Sequence, residues 1–342
     1  MTVNCAVDNR AWTGLVTHSA AASSYNDDGS NLTEVERLVP DTFGYLASVG
    51  TSLLFSLSSI AFTAAGRKVS SPVVNRVRLV LAFGFVVALH TLAFGAPLPF
   101  DAAPERFLFL GLSGIIGFVL GDAFLFQAYV MIGPRLALLV MSLAPILTVL
   151  LAWVFLHERL LPVDLLGIVI TLAGVVLVVS ERRGAQDTIF ARPGSRAYLI
   201  GLGCALGGAV GQAVGLIFSK QGLAGDFPPL SGNVIRLGAA MVVIWVITLA
   251  AGRAGETVRR LRAHPGTMRL LVMGALLGPV SAVSLALFSL QLIPAGVAST
   301  LQSLMPVFMI PIAFVFYRER PTRTGVFGTI LALVGISILF LW

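Results

Sequence analysis

The sequence predicts an all-α integral membrane protein with about ten transmembrane helices in two inverted five-helix repeats. Three observations carry that prediction. The composition is too apolar for water, a series of apolar runs has membrane-spanning length, and a set of residues recurs at a fixed offset. The chain has 342 residues, of which 57% are hydrophobic and 11% charged, with a mean hydropathy of +0.92. A soluble domain carries about a quarter charged residues, so bulk water is not the solvent over most of this length.

Crossing a hydrocarbon core of about 30 Å takes about 20 apolar residues in a helix. Runs of that kind lie at Phe43–Ala64, Val73–Phe94, Phe107–Met131, Leu136–Leu156 and Val163–Val179. Five more lie at Ala197–Ser219, Val234–Ala251, Met268–Leu290, Gly296–Tyr317 and Thr324–Trp342. The runs are continuous, whereas a β-barrel would show short alternating strands. Residues 1–40 form a polar N-terminal tail with the composition of a disordered segment and no signal-peptide pattern. The net charge of +7 comes from arginines in short loops beside apolar helices. That placement orients a chain in a membrane and gives no nucleic-acid surface. Cys5 in the tail and Cys204 inside a span make an unsuitable disulfide pair.

The repeat is explicit. Pro145, Phe155, Glu158, Arg159, Gly167 and Gly174 each recur 161 positions later (306 − 145) as Pro306, Phe316, Glu319, Arg320, Gly328 and Gly335. Asn75 and Arg78 rhyme with Asn233 and Arg236 at a different offset, 158 (236 − 78). An odd number of spans per copy makes the second copy enter the membrane from the opposite side. The expected units are residues 41–182 and 197–342, joined by a polar linker over 183–196 that contains Pro193-Gly194-Ser195.

These motifs resemble the EamA family of the drug/metabolite transporter superfamily. In the first half the resemblance rests on Ala128, Ala137, Leu143, Pro145, Glu158, Gly167 and Gly174. In the second it rests on Ala298, Leu304, Pro306, Glu319, Gly328 and Gly335, and it covers residues 43–342. The resemblance implies a ten-helix basket with a central cavity near the bilayer midplane. It also implies export of amino acids, metabolites or toxic compounds.

Candidate site residues follow from polarity inside the spans. Asp122 is the one carboxylate, of sixteen, set well inside an apolar run. Burying an ionisable group there costs at least ~2.5–3.5 kcal/mol on insertion scales. It is therefore a candidate for proton coupling or cation binding, or a structural bond to a neighbouring helix. Tyr129 shares its face seven residues on. Val283 stands at the equivalent position, so such a site is asymmetric. The stripe Gly114, Gly117, Gly121 on the same helix allows close helix packing.

Pro145 and Pro306 are expected mid-helix, where each frees a carbonyl, with Ser142 and Gln302 one turn before them as cavity candidates. Gln212 is a further cavity candidate or interhelical glue. Arg78 and Arg236 are candidate anion anchors or headgroup anchors. Lys220 is expected to snorkel to the interface, and His90 to be structural. Glu158, Arg159, Glu319 and Arg320 end their spans as structural or gating groups. Trp153, Trp245 and Trp342 suit interface anchoring.

These features favour a secondary transporter of a small molecule, with protons as a coupling partner. The protein is expected to be a multi-pass protein of the plasma or inner membrane, as a monomer or homodimer. No nucleotide-binding loop of the P-loop kind occurs in the sequence. No metal or cofactor is expected. Gly111-Leu112-Ser113-Gly114 resembles an intramembrane protease motif, but the later histidines fall in loops, so an enzyme is disfavoured. A carrier of lipid-linked headgroups is the other alternative. The positive-inside rule places both termini outside, while the family resemblance places them inside.

Overall fold

The computed structural model describes residues 34–181, 196–225, 227–305, 307–308, 311–312 and 323–341. Its helices in the first half are α1 (Glu34–Val69), α2 (Ser71–Phe94), α3 (Pro104–Gly114), α4 (Asp122–Met141), α5 (Ala144–Phe155) and α6 (Pro162–Glu181). The second half holds α7 (Arg196–Gly222), α8 (Pro229–Ala250), α9 (Ala254–Ala263), α10 (Thr267–Ala275), α11 (Val283–Leu292), α12 (Ala295–Gln302) and α13 (Arg323–Leu341). Two π-helical segments, Ile115–Gly121 and Leu276–Ala282, join α3 to α4 and α10 to α11. No strand occurs among the described residues.

Six helices there are long and apolar enough to cross a membrane: Asp41–Val69, Ser71–Phe94, Pro104–Ala128, Arg196–Gly222, Pro229–Ala250 and Thr267–Leu292. Three shorter apolar helices, Ala144–Phe155, Pro162–Val178 and Arg323–Leu339, accompany them. Against the sequence expectation of ten, the described residues hold these six full-length spans and three shorter apolar helices. The expected gap between the third and fourth spans is not at 132–135. Helix α4 continues to Met141, and the chain breaks at Ser142–Leu143.

That break corrects the reading of Pro145 as a mid-helix proline. It lies in the first turn of α5, after Leu143 as N-cap. A first-turn amide has no helical partner, so proline's missing N–H costs nothing there. A tight turn closes the break, with Leu143 N–H donating to Val140 O at 3.0 Å. The same turn recurs in the second half, where Leu304 N–H donates to Leu301 O at 3.3 Å. Pro306 itself, with Glu319, Arg320 and Trp342, lies outside the described residues, as do residues 1–33 of the tail and most of the linker.

The two halves interlock. Helix α1 of the first half packs on α10, the second π segment and α11 of the second. Helix α7 packs reciprocally on α3, the first π segment and α4. A serine and threonine stripe on α1 makes the first of these seams polar. Ser58 donates to Gly274 O at 2.8 Å, Ser56 to Met305 O at 3.0 Å and Thr51 to Ala282 O at 3.3 Å. In an apolar solvent such hydrogen bonds, together with close packing, replace the hydrophobic drive that holds helices together in water. Between the halves, α2 lies against α8 around buried Leu79, Val86, Val234 and Leu237.

The repeated glycines lie where α6 crosses α13. A methyl group added at Gly174 would lie 2.6 Å from Gly328 O and closer still to Ala332 N. One added at Gly335 would lie 2.5 Å from Thr171 N and 2.8 Å from Gly167 O. The start of α6 thus meets the end of α13, and the end of α6 meets its start. Sequence-equivalent helices of the two halves run antiparallel with their backbones in contact.

Candidate functional site

A buried polar cluster forms where α2, α8, α7 and the first π segment meet. Asp122 opens α4 at the end of the π segment. Its carboxylate pairs with the Arg78 guanidinium from α2, 44 residues away in sequence, and the two side chains are only 13% and 15% exposed. Arg78 Nε also donates to Asn75 Oδ1 at 2.7 Å, and its guanidinium stands 5.6 Å from the centre of the Phe62 ring. In a medium of low dielectric each charge is costly alone, and the pair with its hydrogen bonds offsets part of that cost.

The π segments explain the repeated asparagines. A π turn shifts the helical bonds from i+4 to i+5 and disturbs the ladder at its ends. Asn75 donates to Phe118 O in the first π segment at 3.5 Å. Asn233 donates to Pro279 O in the second at 2.9 Å, and to Ser284 Oγ at 2.9 Å. Phe118 and Pro279 are 161 positions apart, as are the two π segments themselves. Each half therefore carries the same device, an asparagine bonded to a carbonyl of a widened helix.

The equivalence stops at the arginines. Arg236 occupies the place that Arg78 has in the first half, but Val283 replaces the carboxylate. Arg236 is 5% exposed, and its Nε has no hydrogen-bond partner among the described residues. Its guanidinium stands 5.0 Å from the centre of the Phe118 ring, a cation–π contact that offsets only part of the burial cost. Arg236 is buried in the bundle, and Arg78 is nearly so at 15% exposure.

The glycine stripe shapes the space around Arg236. A methyl group at Gly114 would overlap the Arg236 backbone, and one at Gly121 would lie 3.7 Å from Gly211 C. Between them, a methyl group at Gly117 would lie 3.8 Å from Arg236 Nη2 and 4.0 Å from Gln212 Oε1. Gln212 is exposed, yet Gly208, Ala209 and Gly215, its neighbours one turn away on α7, are buried. At 3.6 residues per turn it points opposite the exposed apolar stripe of Leu199, Leu206 and Val210. An exposed amide on the inward side of a helix faces an internal space.

The other candidates fall in three places. Ser142 is buried at the break before α5, and Gln302 is half-buried before the equivalent break, with its Nε2 unpartnered among the described residues. Tyr129 lies in α4, its side chain outside the described residues. Glu158 and Lys220 form a second polar centre, which sequence reasoning missed. Lys220 pairs with Glu158 at 2.6 Å and donates to Ile293 O at 2.8 Å. Glu158 Oε2 accepts from Ala295 N–H at 2.9 Å, at the start of α12, so a carboxylate meets the positive end of a helix. The two halves are tied together there. Glu158→Ala is expected to lower stability by about 1.5–3 kcal/mol, the usual worth of hydrogen bonds to a charged group. Lys220→Met should add little to that loss in a double variant, as thermal unfolding would record; fully additive losses would mean the two groups act separately.

Arg159 is exposed. His90 bonds Ala96 O at 2.6 Å and Ser231 Oγ at 2.9 Å, a structural role. Ser113 donates to Gly215 O at 2.6 Å and contacts Ser219 Oγ at 2.6 Å, which makes it a link between α3 and α7. Two surface hollows lie away from the cluster. One, of about 280 Å³, lies between α2, α3 and α8 and is lined by apolar residues such as Phe83, Phe107 and Met241. The other, of about 440 Å³, is lined by Trp153, Glu158 and Arg159 among others.

Comparison with known proteins adds a family. The EamA-like transporter family matches the chain twice, over residues 42–180 and 199–341. No curated protein matches. One solved structure, described only as "Crystal structure of protein", superposes with a TM-score of 0.63 at 20% identity, over 86% of this chain and 96% of that one. At that identity the likeness speaks for the fold alone.

Proposed function

Since the chain belongs to the EamA-like transporter family, we propose that it is a secondary-active exporter of small metabolites, amino acids or drug-like amphipathic compounds. Members of the family are transporters, not enzymes, and the apolar helices make this chain an integral multi-pass membrane protein. In this reading the units 41–182 and 197–342 are inverted five-helix repeats, ten helices in all, and they rock about a central site by alternating access. The antiparallel crossing of α6 and α13 supports the inversion. The membrane is the plasma or inner membrane.

The observation that carries the function is the Arg78–Asp122 pair, which joins α2 to α4 inside the first half. Asp122 is the group that can take up a proton there. Protonation removes its charge, releases Arg78 and changes the bonding of α2 to α4, which links a proton to a conformational step. Ser142, Pro145 and Gln302 flank the breaks that would line the cavity and Gln212 faces it, while Tyr129 and Pro306 are cavity candidates from the sequence. Glu158 and Arg159, with their sequence counterparts Glu319 and Arg320, are assigned a structural or gating role.

An untargeted metabolite comparison of cells and medium tests this. Wild type should enrich at least one compound in the medium, and Asp122→Asn, at equal membrane expression, should cut that export by a factor of about 100, the scale of a lost buried charge interaction. Equal export by both variants would remove Asp122 from the coupling. A headgroup carrier is the alternative reading: the hollow between α2, α3 and α8 is apolar, and the other hollow is lined by Arg159.

A further inference from the structure

We propose that the transported compound carries a single carboxylate, and that Arg236 with Gln212 is the site that holds it. The inference rests on the transport reading above and adds the substrate's chemical class. Its basis is an imbalance of charge. Asp122 neutralises Arg78, and Glu158 neutralises Lys220. Arg236 is at least as buried as these groups and has neither an ion pair nor a hydrogen bond among the described residues. A lone guanidinium inside a membrane protein is costly, and the Phe118 ring beneath it supplies no acceptor.

The chemistry of the vacant edge selects the ligand. Nε and Nη2 lie on one edge of the guanidinium and match the two oxygens of a carboxylate. Nε has no acceptor, and Nη2 borders the gap left by the missing side chain of Gly117. Gln212 stands across that gap and can bond a second polar group of the same ligand. One uncompensated positive charge calls for one negative charge. A phosphate dianion would leave the centre negative, and a cationic compound would meet repulsion. The second half thus takes from its ligand the counter-charge that the first half takes from Asp122.

Thermal unfolding of the purified full-length chain tests the site directly. The probes are small monocarboxylates (acetate, benzoate and α-amino acids), each against its primary amide. Some of the acids should stabilise wild type saturably, with the matched amide binding about 100-fold more weakly. Arg236→Gln should reduce the acid to the level of the amide, and Arg236→Lys should restore part of the difference. Gly117→Ala should weaken the acid at least about 10-fold while leaving the unliganded melting temperature nearly unchanged, because its new methyl group makes only ordinary contacts. That variant keeps the test decisive even where Arg236→Gln fails to fold. Absence of any acid preference in wild type, or its survival in Arg236→Gln, would overturn the proposal. Carboxylate binding without transport in vesicles would sink the transport reading and keep the site. Transport of a neutral or cationic compound, unaffected by Arg236→Gln, would do the reverse.

Discussion

Asp122→Ala should lower the stability of the protein by about 3–5 kcal/mol, because it strands the Arg78 charge in the bundle. Arg78→Met should cost a comparable amount by stranding the carboxylate. The double variant Arg78→Met/Asp122→Ala should be far more stable than the sum of the two losses, since no lone charge remains. Thermal unfolding of the four proteins in the same lipid or detergent gives the coupling. Additive losses would mean that the two side chains do not depend on each other. The double variant should also lose the proton dependence of transport even where it folds well, which separates the pair's role in coupling from its role in stability.

The α6–α13 crossing should be nearly as sensitive. Gly174→Ala and Gly335→Ala each put a methyl group against backbone atoms of the partner helix. Backbone cannot rotate aside as a side chain can, so the two helices must separate and lose contact along their length. Overpacking usually costs 1–3 kcal/mol, and a backbone clash belongs at or above the upper end, about 3 kcal/mol or more. Gly203→Ala on α7 and Gly255→Ala on α9 meet nothing within 4 Å and serve as controls. Melting temperature and monodispersity on size exclusion should fall for the first pair and hold for the second. Unchanged behaviour of Gly174→Ala would contradict the close antiparallel contact.

What the sequence could reveal followed from what is local or repeated. The 161-residue offset is visible in the chain, and the glycines it marks are the crossing of α6 and α13. Their purpose was not legible, because nothing local says which helix a glycine faces. Asp122 stood out as a carboxylate in an apolar run, but its partner Arg78 lies on another helix. Inside the π segments the repeat is marked only by Gly117 and Val119 against Gly278 and Val280, and neither residue type signals a widened helix. Pro145 was misplaced because hydropathy runs on through the break at Ser142–Leu143, where the backbone turns without any change of polarity. Arg236 lies one turn beyond Asn233, which suggests a headgroup anchor. Its burial under α3 and the π segment comes only from the packing of Gly114 on its backbone. The Lys220–Glu158 pair is not legible for a similar reason, since its two residues come from different halves.

Purified protein in sealed liposomes offers the most direct test of proton-coupled transport through the buried cluster. A compound exported by cells is added outside, and the internal pH is followed with a trapped dye. Wild type should move protons only when the compound is present, and Asp122→Asn should abolish that movement while still inserting and folding. Proton movement that is the same with and without the compound, or that survives in Asp122→Asn, would contradict it.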